Sequence, residues 1–179
     1  MEFKNKRVLV TGAGQGIGRC IVEKLSQHEA IIIALSKTQA NLDSLKQAFP
    51  NVQTVQVDLQ RGNFINISQV VSKTMIDHKI QGSIVNVSSI AGKTALEGHT
   101  IYSASKAALD SITRTMALEL GPYNIRVNSV QPTVVMTQMG RTGWSDPAKA
   151  EPMLAKTPLG RFAEPPEYQR VLIVPKSKK

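Results

Sequence analysis

The chain has 179 residues, 41% hydrophobic and 20% charged, a length and balance that suit one globular domain with a sizeable core rather than a disordered chain. Its net charge is +9, yet the cations are scattered except for "KSKK" at the end, aromatics are only 4%, and no basic stripe interleaves with them, so the charge reads mainly as solvated surface and nucleic-acid binding is not expected. The longest clean apolar run, "AIIIAL", is far short of the ~20 residues of a membrane span. The N-terminus lacks the apolar core and cleavage site of a signal peptide. The single Cys20 excludes an intramolecular disulfide framework and fits a reducing compartment.

In chain order, "RVLVTG" reads as a first strand and Gly16 to about His28 as a helix. "AIIIALS" is a second strand, and "NLDSLKQAF" a helix that stops at Pro50. "VQTVQVDL" alternates like a third strand, and "FINISQVVSKTMIDHKI" has helical spacing. "GSIVNVSS" is a strand, "IYSASKAALDSITRTMALEL" a long helix ended by Gly121-Pro122, and "NIRVNSVQP" another strand. "WSDPAKAEPMLAK" enters a short helix with Asp146 as cap and Pro147 at its first position. Strands alternating with helices imply crossover units and a parallel, doubly wound α/β sheet in a single domain over residues 1–179. Ligands bind such sheets beyond the carboxyl ends of the strands.

The first strand runs into "TGAGQGIG", where Gly12, Gly16 and Gly18 form a Gly-x-x-x-Gly-x-Gly turn. Glycine there permits a tight turn, lets backbone approach a pyrophosphate, and packs the helix close to the strand. The helix N-terminus then offers free N–H groups and partial positive charge. A dinucleotide is the expected ligand. The second strand ends in "ALSKT" without the carboxylate that meets the ribose hydroxyls of NAD. Lys37, with Ser36 beside it and Arg19 adding charge, suits the 2′-phosphate of NADP. Asp58, ending the third strand, either accepts from the adenine amino group or caps the next segment.

"VNVSS" ends a strand at Ser89, and Tyr102 follows with Lys106 one helical turn later on the same face. A tyrosine beside an ammonium can exchange a proton with a carbonyl oxygen as hydride arrives or leaves. Ser89 would hydrogen-bond that oxygen, and Lys106 could also hold the nicotinamide ribose.

"TGAGQGIG", "NVSS" and "YSASK" together resemble the short-chain dehydrogenase/reductase family. The resemblance implies a Rossmann-type sheet, a nicotinamide cofactor, and catalytic roles for Ser89, Tyr102 and Lys106. It extends the cofactor contacts to Gly14, Gln15, Ile17 and Leu59, and to Val135 and Thr137 of "PTVVMT". That stretch is similar to the family's Pro-Gly-x-x-x-Thr, with Thr133 in place of the glycine. "SKTQANLDSL", "MALELGPYNIRVNSV", "VVMTQMG", "WSDPAKA" and "PLGRFAE" further resemble the L-xylulose (dicarbonyl) reductase group. That group implies NADPH-dependent reduction of L-xylulose and α-dicarbonyls by a cytoplasmic homotetramer.

Two departures stand out. After "VDLQ" the family continues with a helix, a fourth strand ending in Asn-Asn-Ala-Gly and a helix carrying a catalytic asparagine. Here "RGNFINISQVV" follows at once, and neither Asn63 nor Asn86 takes that role. Closing the gap would let the "IVNV" strand slide against "VLVT" in the order 3-2-1-5-6; the alternative keeps the family's spacing and leaves the sheet divided. The second departure is at 165–179, an atypical truncated tail where the family has a long helix and a last strand. That end builds subunit contacts in the family, which puts the tetramer in doubt. A truncated form that binds NADP(H), or pairs with longer subunits without turnover, is the alternative reading, as is a reductase of 3-oxoacyl groups.

His28, His78 and His99 have no ligand spacing, and no acidic or cysteine cluster supports a metal. His99 could line a substrate pocket. Trp144 could form part of a lid or anchor its loop.

Overall fold

A computed structural model describes residues 3–59 and 63–172, without the side chains of 63, 64 and 169–172. The junction after "VDLQ" at 60–62 and the end of the tail at 173–179, "KSKK" included, lie outside the described residues. The chain divides into two compact units, one of residues Met1–Leu59 with Val134–Lys179, the other Gln60–Thr133.

In the first unit β1 (Arg7–Thr11), β2 (Ile31–Ser36) and β3 (Gln53–Gln56) form a parallel sheet with β2 central. Arg7 pairs with Ile31 through to Thr11 with Leu35, and Ile33 pairs with Gln53 through to Ser36 with Gln56. The crossovers are α1 (Gly16–Ser26) and α2 (Gln39–Ala48). Val10, Val22, Leu25, Ile32, Ala34, Leu45 and Val52 form a buried cluster, with Phe3 and Phe49 packed against it. This is the 3.6-residue stripe of two helices meeting the apolar run of a covered parallel strand. The third strand is shorter than its alternation implies. Its last bond, Val57 N–H to the Ser36 carbonyl at 2.9 Å, falls where β2 itself ends.

The same unit carries α5 (Gln138–Gly143), α6 (Pro147–Ala155) and α7 (Pro165–Leu172), the last packing on α1. Asp146 caps α6 as expected, its carboxylate accepting from the Ala148 N–H at 3.0 Å. α7 occupies the first half of the segment read as a tail. Glu167 in its first turn accepts from the Glu164 N–H at 2.8 Å and takes both guanidinium nitrogens of Arg161 at 2.8 Å.

In the second unit α3 (Asn63–Asp77) leads to β4 (Ser83–Val87), a 3-10 turn (Ile90–Gly92), α4 (Thr100–Leu120) and β5 (Arg126–Val130). β4 and β5 pair in parallel, Ser83 with Arg126 through to Val87 with Val130. Two further bonds carry the register past the strands, Ser88 N–H to Val130 O at 2.8 Å and Ile90 N–H to Pro132 O at 3.1 Å. α4 stops at Gly121, and Asn124 takes the left-handed conformation at φ 57°, which asparagine tolerates.

The apolar core here is small: Leu120, Ile125 and Val127, backed by Met75, Ile76, Ile84 and Met116. Much of the rest that is buried is polar, including Asn86, Ser88, Ser89, Asp110 and Thr113. Each needs partners, because an unsatisfied buried group costs about 1–3 kcal/mol. Asn86 Nδ2 donates to Thr113 Oγ1 at 2.8 Å, whose hydroxyl donates on to the Leu109 carbonyl at 2.8 Å. α4 is thus fixed to β4 by directed bonds as well as by packing.

The slide of "IVNV", in β4, against "VLVT", in β1, is not realised. β1 hydrogen-bonds to β2 and β4 to β5, and the described strands form two sheets instead of one. The pairing of β4 with β5 that the slide also requires is present, five residues in register with two bonds beyond it, but β1 pairs with β2 and not with β4, which matches the alternative of a divided sheet.

Candidate active site

Each unit assembles part of the residues singled out in the sequence. In the first, Gly12 and Gly16 have φ of +62° and +54°, where side chains are strained. Beyond Gly12 the space that a Cβ would enter is open. Gly18 is required for another reason: a Cβ there would run into the Gly12 carbonyl and come within 3.1 Å of Ala13 Cα, all of it backbone. A Cβ on Gly14 would meet Asn41 Cβ and Ser36 Oγ at 2.7 Å, and one on Gly16 would meet Thr137 Cγ2 at 3.2 Å. The turn thus brings Ser36 and Thr137 to its two sides. Gln15 begins α1 without a side-chain hydrogen bond to the first turn, and no acidic residue stands there. Uncapped N–H groups at a helix start, next to an open glycine face, suit an anionic group.

Lys37 and Asp58 are brought together, Nζ to Oδ2 at 3.1 Å, with side chains 58% and 44% exposed. Gln56 Nε2 donates to the Lys37 carbonyl at 3.0 Å and fixes the backbone at the end of β2. Arg19 turns to α2, its Nη2 donating to the Ser44 carbonyl at 3.5 Å. Ile17 and Leu59 are half-buried. Val135 is buried and forms a parallel bridge to Ala163. Thr137 caps α5, its Oγ1 accepting from Gly140 N–H at 3.2 Å. Trp144 lies edge-on to Phe162, ring centroids 5.7 Å apart, with Lys149 Nζ 5.0 Å from its own.

The second unit holds Ser89, His99, Tyr102 and Lys106. Ser89 is buried at the start of the 3-10 turn, and its Oγ accepts from the Ala91 N–H at 3.2 Å, which leaves its own O–H free to donate elsewhere. Tyr102 is 42% exposed. Lys106 Nζ lies 5.6 Å from the Tyr102 ring centroid and donates to the Val87 carbonyl at 3.0 Å. The ammonium is therefore anchored to the end of the strand that carries Ser89. Burial pushes the Lys106 pKa down, against the opposing pull of the Asp110 carboxylate. His99 stands edge-on to Tyr102, centroids 6.1 Å apart, with Nδ1 2.7 Å from Glu97 O.

Asp110, Thr113 and Gln131 join this unit's polar layer without having been singled out in the sequence. The available signal was the spacing in "KAALD", which sets a carboxylate one helical turn beyond Lys106. Among the described residues no helix is long and apolar enough to cross a membrane.

Residues 6–64 match the short chain dehydrogenase family, and residues 53–174 match the family described as enoyl-(acyl carrier protein) reductase. L-xylulose reductase of Mesocricetus auratus is 44% identical over 209 positions, covering 92% of this chain and 86% of that one. L-xylulose reductase of Mus musculus is 43% identical over the same shares. The 209 aligned positions exceed the 179 residues present, so the relative carries residues inside the matched span that have no counterpart here. A solved structure of 4-hydroxyisoleucine dehydrogenase complexed with NADH is 25% identical with a TM-score of 0.84, covering 94% of this chain and 89% of that one. The family matches run through both units, and identity to oxidoreductases exceeds 40% across nearly the whole sequence, so the chain belongs to the short-chain dehydrogenase/reductase family.

Proposed function

We propose that this chain is an NADPH-dependent carbonyl reductase of the L-xylulose reductase type, acting on L-xylulose and small α-dicarbonyls. The observation that carries the reading is the Tyr102–Lys106 pair, with Lys106 Nζ 5.6 Å from the phenol ring and bonded to the strand end next to Ser89. The glycine turn fits a dinucleotide, with open space at Gly12 and an uncapped first turn of α1. Gly12, Gly14, Gln15, Gly16, Ile17 and Gly18 would hold its pyrophosphate, Ser36, Lys37 and Arg19 the 2′-phosphate side, Asp58 and Leu59 the adenine, and Val135 and Thr137 the nicotinamide. When bound, the nicotinamide supplies the hydride.

The chain's own residues manage the proton and the oxygen. Tyr102 gives its phenolic proton to the substrate's carbonyl oxygen, turning C=O into an alcohol as hydride reaches the carbon. The Ser89 O–H donates to the same oxygen and holds it in line. Lys106 places positive charge beside the phenol, where it stabilises the negative charge that develops as the proton leaves, and offers N–H donors to a ribose. His99, edge-on to Tyr102, would line the substrate side.

A second reading has a specific warrant. The aligned relative carries residues that this chain lacks, and the catalytic asparagine that the family resemblance implies is not matched in this sequence. A form that binds NADP(H), or pairs with longer subunits, without turnover fits those facts. Purified protein should be assayed for NADPH consumption with diacetyl, L-xylulose and a 3-oxoacyl thioester, with NADPH binding measured in parallel. Turnover with the first two supports the proposed reaction. Binding without any turnover supports the second reading, and turnover with the thioester alone moves the chain to the 3-oxoacyl reductases. Absence of binding overturns both.

A further inference from the structure

We propose that Asp110 is a positioning residue for the Tyr102–Lys106 pair, a buried carboxylate that ties α4 to the end of β5 and to the turn begun by Ser89, one helical turn from Lys106. The inference rests on the catalytic reading of that pair.

Asp110 lies four residues after Lys106 on α4, on the same face, and is only 5% exposed. A carboxylate so placed is costly unless it is bonded. Gln131 Nε2 donates to Asp110 Oδ1 at 3.1 Å and also to Ser129 Oγ at 2.9 Å. Ser88 Oγ donates to the Lys106 carbonyl at 3.2 Å. Burial alone would raise the Asp110 pKa, but the Gln131 bond, the polar neighbours Ser88 and Ser129 and the charge of Lys93 outweigh it and hold the carboxyl below its usual value.

Gly92 makes this seat possible. A Cβ on it would meet the backbone of Lys106 and Ala107 at 3.0 Å and Asp110 Oδ2 at 3.2 Å. α4 therefore lies directly on the turn that Ser89 begins, with the carboxylate at the contact. The carboxylate is thereby seated one helical turn beyond Lys106 on the same face of α4.

Among the described residues, the charged and titratable groups found to act on this pair are Asp110 and Tyr102 from α4 and Lys93 from the end of the 3-10 turn, while β4 contributes the Val87 carbonyl. Lys93 bears on Asp110 rather than opposing it. The net effect of the carboxylate on Lys106 is to favour its proton.

The test is competitive acetylation of the lysines across the alkaline range, read residue by residue by mass spectrometry, which needs neither cofactor nor turnover. Asp110→Asn keeps an acceptor for Gln131 and removes only the charge. Its Lys106 labelling midpoint should move to lower pH, while those of exposed Lys73 and Lys149 stay fixed. Gln131→Met, which withdraws a bond that keeps the carboxyl charged, should move it the same way by less, and supplies the test if Asp110→Asn does not fold. In the reductase assay Asp110→Asn should lose roughly tenfold or more in kcat with little change in carbonyl KM, the pattern of a misplaced group. A Lys106 midpoint unmoved in both variants overturns the inference. A shifted midpoint in a chain that never reduces a carbonyl keeps Asp110's hold on Lys106 and overturns the functional reading instead.

Discussion

Replacing Lys37 should change coenzyme choice, and the structure bounds by how much. Its ammonium is 3.1 Å from Asp58 Oδ2, with both side chains about half exposed. Unit charges 4 Å apart attract by about 1 kcal/mol in bulk water and about 4 kcal/mol at the effective dielectric of a protein surface. Such exposed pairs measure ~0–1 kcal/mol, so the ion pair is weak enough for a 2′-phosphate to compete for the lysine. A gain near the lower bound, about 1.4 kcal/mol, corresponds to roughly tenfold. Lys37→Ala should therefore weaken NADPH binding about tenfold and leave NADH nearly unchanged. Asp58→Asn removes the competing carboxylate and should strengthen NADPH binding a few-fold. Titration calorimetry with both coenzymes at low and high salt checks this, because a phosphate–lysine contact weakens as salt rises. Equal losses for NADH and NADPH, or no loss for either, would refute the assignment of Lys37 to the 2′-phosphate.

Gly18→Ala should destabilise the first unit by about 1–3 kcal/mol, since its Cβ meets the unyielding backbone of Gly12 and Ala13; denaturant unfolding measures it. Asn86→Leu leaves the buried Thr113 hydroxyl without its donor and should cost about 1–3 kcal/mol by the same assay, much more than a surface Asn→Leu. Asp110 makes stability depend on pH in the acid range. Its folded pKa lies below the ordinary 3.8, so its contribution is present above that value and is lost as pH falls through the folded one. Asp110→Asn should flatten that acid loss in thermal unfolding scans, and an unchanged acid limb would contradict it.

The five strands and the helices α1 to α4 were legible because their periods are strong. Ile31–Leu35 is a continuous apolar run, and "YSASKAALDSITRTMALEL" keeps helical spacing for nineteen residues. α5 and α7 were not. α5 is six residues long with Gly140 inside it, too short and too glycine-rich for periodicity to reveal; only Thr137 as a cap announced it. α7 was signalled by "EPPE", prolines in a first turn with Glu167 three residues after Glu164, a pattern overshadowed by the unusual residues that follow. Sheet order was beyond reach, because strand periodicity says nothing about which neighbour a strand selects. The β4–β5 pairing of the expected order is present, while the β1–β4 pairing is not found among the described strands. The spacing of Tyr102 and Lys106 was plain in the sequence. The polar layer under them was not, since Asn86, Asp110 and Gln131 are far apart in the chain and each alone reads as surface.

The central claim is that Tyr102 delivers the proton to a carbonyl oxygen. The most direct measurement is single-turnover NADPH oxidation with diacetyl in the wild type and Tyr102→Phe, with NADPH binding measured on the same samples. The account predicts that Tyr102→Phe binds NADPH within a few-fold of wild type and loses at least ~100-fold in the oxidation step, the scale of one general acid. Oxidation at the wild-type rate in a folded Tyr102→Phe would contradict it.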